Sequence, residues 1–180
     1  KEICKNLSIE EVELRTRESP DVAPYLQELE FEKVMVELPK QHREIRDALS
    51  QVFNNYVDEL RNRKVLYGFP SKTELIGLQK KLMASIAKGN KNFNNLLAAS
   101  ACAQAIKLQH ALELVETQTF LGFHKYLKEL KNQAAKKTSK GVARLVAKPG
   151  FSFVFKKSEE LLQTGYENPK IDAISRIVED

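Results

Sequence analysis

At 180 residues, with 42% hydrophobic and 29% charged side chains, the chain has the size and composition of one domain around a single core. Its 29 Lys and Arg against 24 Asp and Glu give a formal charge of +5, which admits a polyanionic partner without the extreme of a histone-like tail. Two cysteines, Cys4 and Cys102, cannot staple a domain of this size, and no signal peptide or long apolar span is evident; disulfide scaffolds and membrane spans are excluded and a reducing, intracellular compartment is expected.

The chain opens on Lys1 inside a helical pattern, so it reads as a fragment with cut ends. Ile3, Cys4 and Leu7 have helical spacing, whereas Val12 and Leu14 alternate with charged residues as a strand would. Ser19, Pro20 and Asp21 form a turn that opens a short segment through Leu29. Residues Phe31 to Leu38 alternate again, and Pro39 ends that run. From there the period becomes 3.6. Ile45, Leu49, Val52, Phe53, Tyr56 and Leu60 make one face of a helix from about Lys40 to Val65, broken by Gly68, Phe69 and Pro70. Ser71 and Glu74 stand in capping-box relation before a helix carrying Leu75, Leu78, Leu82 and Ile86.

After Gly89, the stripe Phe93, Leu97, Ala101, Leu108, Ala111, Leu112, Val115 and Thr119 predicts a long central helix, continued or kinked near Gly122 to about Gln133. Its alanine-rich residues 98–105 would let a neighbouring helix approach closely. Thr138 or Ser139 can cap a further short helix ended by Pro149 and Gly150, and a last pair runs from Ser152 to Thr164 and from Pro169 to Val178. The fold class is therefore mainly α, a helical bundle with short strand and helix elements at its ends.

Catalytic signals are absent from the sequence. The glycines stand singly and none begins G-x-x-x-x-G-K, so no phosphate loop is formed. Asp58 and Glu59 lie between Val57 and Leu60 on an amphipathic helix and read as a solvated face. His42, His110 and His124 lack companions at metal-ligand spacing, and no nucleophile has a base beside it. No catalytic residue, metal ligand or cofactor is expected within this chain.

Charge is segregated. Residues 1–38 carry five basic and ten acidic side chains, whereas residues 121–157 carry ten basic ones and only Glu129 as an acid. Within that segment Lys125, Lys128 and Lys131 lie three apart, and Lys136, Lys140, Arg144 and Lys148 lie four apart, with Lys137 alongside. On a helix each set would form a positive stripe. Like charges so placed repel unless an anion neutralises them, and a phosphate backbone does so with release of counterions. The bland alternative is a lysine-rich solvated surface. Phe151, Phe153 and Phe155 beside Lys156 and Lys157 admit two readings, a stacking element for unpaired bases or core packing. Asn90, Asn92, Asn94 and Asn95 around Lys91 and Phe93 form a polar helix entrance that could touch a phosphate through backbone amides, and capping alone explains them equally well.

Several segments in order, Cys4 to Ile9, Arg15 to Val22, Val36 to Pro39, Leu114 to Gln118, Thr138 to Lys140 and Asn168 to Ile171, together resemble the Hef and Fanconi-anaemia-M family of fork-remodelling superfamily 2 helicases. The resemblance covers essentially the whole chain. It implies a thumb-like helical insertion domain at residues 39–167, with residues 1–38 ending one RecA-like motor domain and residues 168–180 beginning the other. It further implies that ATP and magnesium act in the parent protein and not here, and that the partners are branched or forked DNA and the flanking motor domains. The protein would then reside with chromosomal DNA, in the cytoplasm of a prokaryote, with no membrane association. Related inserts grip double-stranded RNA, and a structural lever coupling the motors is the rival reading.

Overall fold

The computed structural model describes residues 2–26 and 31–179. Lys1 and the last residues of the short segment read through Leu29 lie outside the described residues. Two compact units are distinguished, residues 1–34 and residues 35–180.

In the first unit, α1 (Glu2–Asn6) closes with the Ile9 amide donating to the Cys4 carbonyl at 2.8 Å, while Ser8 takes a left-handed φ of 52°. Arg15 bonds both Glu13 and Asp21, and Ser19 Oγ accepts from the Thr16 amide at 2.9 Å, which shapes the turn before a 3₁₀ turn at Ala23–Tyr25. The alternating segments are not strands among the described residues of either unit: Val12, Leu14, Phe31 and Met35 lie in irregular backbone and are exposed. Alternation states which face a strand would bury, but a strand exists only when a partner accepts its backbone hydrogen bonds.

The second unit is a bundle. α2 (Lys40–Asn62) buries every residue of its read apolar face together with His42 and Val57, and ends where Lys64 turns left-handed at φ 58°. α3 (Lys72–Ala87) starts with Ser71 Oγ accepting from the Glu74 amide at 3.2 Å. Ser71's own amide donates to the Phe69 carbonyl at 2.8 Å instead of to Glu74, so half of the capping box forms. α4 (Phe93–Thr117) is capped by Asn92, whose Oδ1 accepts from the Asn95 amide at 2.7 Å. Its buried Ala98, Ala99, Ala101, Ala105 and Ala111 let α2 and α3 pack closely along it. Phe93, read as the head of the buried stripe, is exposed because it lies at the first helical residue, before the first core layer.

The long central helix does not continue to Gln133. Gln118 becomes extended, and Thr119 Oγ1 accepts from the Gly122 amide at 3.2 Å, starting α5 (Phe120–Ala135) as a separate helix. α5 folds back on α4, with the Tyr126 hydroxyl donating to the Lys107 carbonyl at 3.2 Å and its ring edge-on to His110 at 4.9 Å. α6 (Lys140–Val146) is capped by Ser139. Pro149 and Gly150, read as a stop, open α7 (Pro149–Gln163) instead, since proline's fixed φ and missing amide suit a first helical turn. Gly150 is required there because a Cβ would lie 2.6 Å from Val52 Cγ2 on α2. α8 (Pro169–Glu179) buries none of its side chains.

A polar clasp joins the start of α2 to the chain leaving α7. His42 Nε2 donates to the Val115 carbonyl at 2.7 Å, which leaves Nδ1 to accept from the Tyr166 hydroxyl at 2.8 Å. Asn168 Nδ2 bonds the Gln118 carbonyl at 3.0 Å, and the Glu167 carboxylate accepts from the amides of Phe120 and Asn168. Burial holds the imidazoles of His42 and His124 below their ordinary value. The unfolded chain therefore takes up protons first, below about pH 6.5, so stability is full above that pH and declines on acidification. Denaturation midpoints are expected to hold steady from pH 8 to 7 and to fall below about 6.5. His42→Gln should make the acid decline shallower; an equally steep decline would contradict this.

Candidate nucleic-acid interface

The eight sequence-selected cations all lie in the second unit, on different local structures. Lys125, Lys128 and Lys131 are exposed on α5. Steps of three turn a helix by about −60° each, so they wind around α5 as a slanted row instead of a straight stripe. Lys131 thereby reaches the α7 seam, with Nζ 3.8 Å from the Phe155 ring centroid, a contact that itself favours a cation.

Lys136, Lys140, Arg144 and Lys148 do not share one helix. Lys136 is the C-cap of α5, Lys140 and Arg144 are one turn apart on α6, and Lys148 is the N-cap of α7. Lys137 is left-handed at φ 54°, which turns the chain from α5 toward α6. The even spacing thus follows two turns, one at Lys137 and one at Lys148, that together leave α7 antiparallel to α5.

Arg144 donates to Ser100 Oγ on α4 at 3.3 Å, and Lys148 Nζ sits 5.0 Å from the Tyr56 ring on α2. These two cations border a cleft of about 270 Å³ between α2, α4 and α6, floored by Gln104 and Gly141. Glu59 also lines it, but Arg63 engages that carboxylate at 2.8 and 3.0 Å, so the cleft stays positive. Burial pushes the Tyr56 hydroxyl up to about 12, keeping it neutral.

What distinguishes these cations from the rest is their density in a segment with a single acid, Glu129. Like Lys40, Arg43, Lys80 and Lys107, they also meet no carboxylate among the described residues, whereas Arg15, Arg46, Arg61, Arg63, Lys72 and Lys157 each do. Lys64 and Lys91 meet at one end of the bundle: α2 and α4 run antiparallel, and Arg63 at the end of α2 bonds Asn94 at the start of α4 at 3.2 Å. Lys64 follows Arg63 and Lys91 lies three residues after Lys88, but only the pairing of the helices brings the two groups to one end.

The three phenylalanines split. Phe151 is core, Phe153 is exposed, and Phe155 is half-buried against His124 at 5.0 Å. Asp58 and Glu59 pair with Arg61 and Arg63 on the α2 surface. Among the described residues no three His, Cys, Asp or Glu side chains converge as metal ligands, and no helix is long and apolar enough to cross a membrane.

Comparison with known proteins identifies the helical bundle. Residues 41–164 match the family described as "Putative ATP-dependent RNA helicase, helical bundle". A Methanocaldococcus jannaschii protein named "Putative ATP-dependent RNA helicase MJ1505" is 31% identical over 137 residues, 75% of this chain and 17% of that protein. The Drosophila melanogaster DEAD-box ATP-dependent DNA helicase Fancm is 26% identical over 117 residues, 63% of this chain and 8% of its own length. The crystal structure of the Pyrococcus furiosus Hef helicase domain matches with a TM-score of 0.76 and 27% identity, covering 99% of this chain and 37% of that one. The chain therefore spans a minor part of the relatives it matches.

Proposed function

The chain belongs to the family of helicase helical bundles, and from that premise we propose that its α5–α7 cations clamp duplex or branched DNA through phosphate contacts. In this reading, residues 1–38 and 168–180 join the bundle to two motor domains of a parent helicase. ATP and magnesium serve those motors, and the thumb-like bundle positions the nucleic acid on which they act. The observation that carries the reading is the concentration of eight cations, from Lys125 to Lys148, on α5, α6 and the start of α7 in a segment whose only acid is Glu129. Left unneutralised, these charges repel one another; phosphates relieve the repulsion and release counterions.

Contacts of this kind set register and shape without reading sequence. If four to six of the side chains meet duplex phosphates, log K against log salt is expected to fall with a slope of roughly −4 to −5. Fluorescence anisotropy of a labelled duplex across a salt series measures it, with double-stranded RNA as the parallel arm. A slope shallower than about −2 would count against the clamp.

A second reading is favoured by the clasp of His42, Tyr166 and Asn168. It fastens the bundle's first and last residues together, as a lever between two motor domains requires. That reading expects charge changes on α6 to leave DNA affinity unaltered and substitutions at the clasp to alter coupling between motors.

A further inference from the structure

An exposed aromatic ring stands in line with the cations of α6. Phe93 is 76% exposed at the first residue of α4, and Leu96, three residues on, is exposed beside it. Phe93, Leu97 and Ser100 follow at steps of four and three residues, so they share one face of α4. On that face Ser100 accepts from Arg144, and Leu97 borders the same cleft. Phe93 therefore lies beyond the cleft on its own side of the bundle, about 10 Å along α4 from Ser100, where the ring is open to solvent.

The turn that carries the ring is braced from two directions. Its asparagines bond one another: Asn92 Oδ1 accepts from the Asn95 amide at 2.7 Å, Asn92 Nδ2 donates to Asn90 Oδ1 at 3.1 Å, and Asn95 Nδ2 donates to the Asn90 carbonyl at 3.2 Å. From α2, Arg63 Nη1 donates to Asn94 Oδ1 at 3.2 Å. Lys64, Lys88 and Lys91 are exposed at this end and meet no carboxylate among the described residues. The acids that share a groove with Asn94, Asp58 and Glu59, are engaged by Arg61 and Arg63. A single exposed apolar side chain is ordinary, but a ring held on a braced turn among free cations has the make-up of a stacking platform for a polyanion's bases.

We propose that Phe93 stacks on the base left uncovered at the branch point of a forked DNA, while the cations around it hold the adjoining phosphates. The inference rests on the nucleic-acid reading above and adds to it the residue that tells a fork from a plain duplex. In continuous duplex each base face is covered by the next, whereas a branch leaves one open. Every base offers such a face, so the contact carries no sequence preference.

The test measures binding of a labelled fork and of a plain duplex with the same ends. Phe93→Ala is expected to lower fork affinity roughly tenfold, toward the low end of what one stacked base contributes, and to leave duplex affinity as it was. The chain has no tryptophan, so Phe93→Trp places a single fluorophore at the ring; it should keep the fork affinity, with emission quenched by the fork and far less by the duplex. Phe69→Ala is the matched control. Phe69 is 82% exposed but precedes α3, whose Lys72 pairs with Glu113 near the far end of α4, so its loss should change neither affinity. None of these side chains is in the core, and each variant should melt within a few degrees of the wild type. Unchanged fork affinity in Phe93→Ala, an equal loss in Phe69→Ala, or tryptophan emission indifferent to the fork would overturn the stacking contact and leave the clamp standing. Failure of the wild-type chain to bind either DNA would overturn the clamp and the stacking contact together.

Discussion

Phe120→Ala is expected to destabilise the bundle by about 3–5 kcal/mol, a large share of the roughly 5–15 kcal/mol that holds a domain folded. The ring is fully buried where α4 gives way to α5, and three aromatic neighbours surround it: Tyr166 at 5.0 Å, His42 at 5.6 Å and Phe123 at 5.7 Å. Its backbone amide is also fixed by the Glu167 carboxylate. Truncation leaves a cavity walled by side chains that other bonds hold in place. His42 is tied to Val115 and Tyr166, so the site cannot collapse without breaking the clasp. Urea denaturation should show a much lower midpoint with an unchanged slope, and Phe120→Leu should recover more than half of the loss. A cost below about 1 kcal/mol would show that the turn between α4 and α5 is held by something other than this cluster.

Reversing four charges together, Lys136→Glu, Lys140→Glu, Arg144→Glu and Lys148→Glu, is expected to lower duplex affinity about a thousandfold near physiological salt. Each phosphate contact contributes about 0.9 to the salt slope, so four lost contacts remove most of a slope of roughly −4 to −5. None of the four side chains is in a salt bridge among the described residues, so no buried ion pair is broken by the change. Lys148 does lose its place over Tyr56, and Arg144 its bond to Ser100, both at the edge of the bundle. Melting temperature should therefore shift by only a few degrees while binding nearly vanishes. Unchanged binding at an unchanged melting temperature would favour the lever reading.

Much of the bundle was legible in the sequence because amphipathic period and caps act locally. The Ile45 to Leu60 face, the Asn92 and Ser139 caps and the alanine-lined side of α4 can each be read within a few turns of helix. The misread positions are those where one residue serves either outcome. Thr119 extends an apolar stripe but caps α5, and Pro149 ends one helix no better than it begins the next. The alternating stretches near Val12 and Val34 carry the period of strands, yet among the described residues no strand pairs with either.

The candidate site was legible as composition and not as shape. Ten basic side chains against one acid in residues 121–157 marked the segment, but four-residue spacing suggested a single helical ridge where the chain is split over three helices by two turns. Gln104, Ser100 and Tyr56 carry no charge signal and lie up to nearly a hundred residues from Lys148, so the cleft arises only when α6 folds across α2 and α4. Lys64 and Lys91 were hidden for the same reason.

The most direct test of the clamp is equilibrium binding of the 180-residue chain to a labelled fork, a plain duplex and a single strand across a salt series, beside the four-charge reversal. Binding that weakens steeply with salt, favours the fork over the duplex and single strand, and disappears in the reversed protein is the expected result. Equal affinity for all three nucleic acids, or equal binding by both proteins, would contradict it.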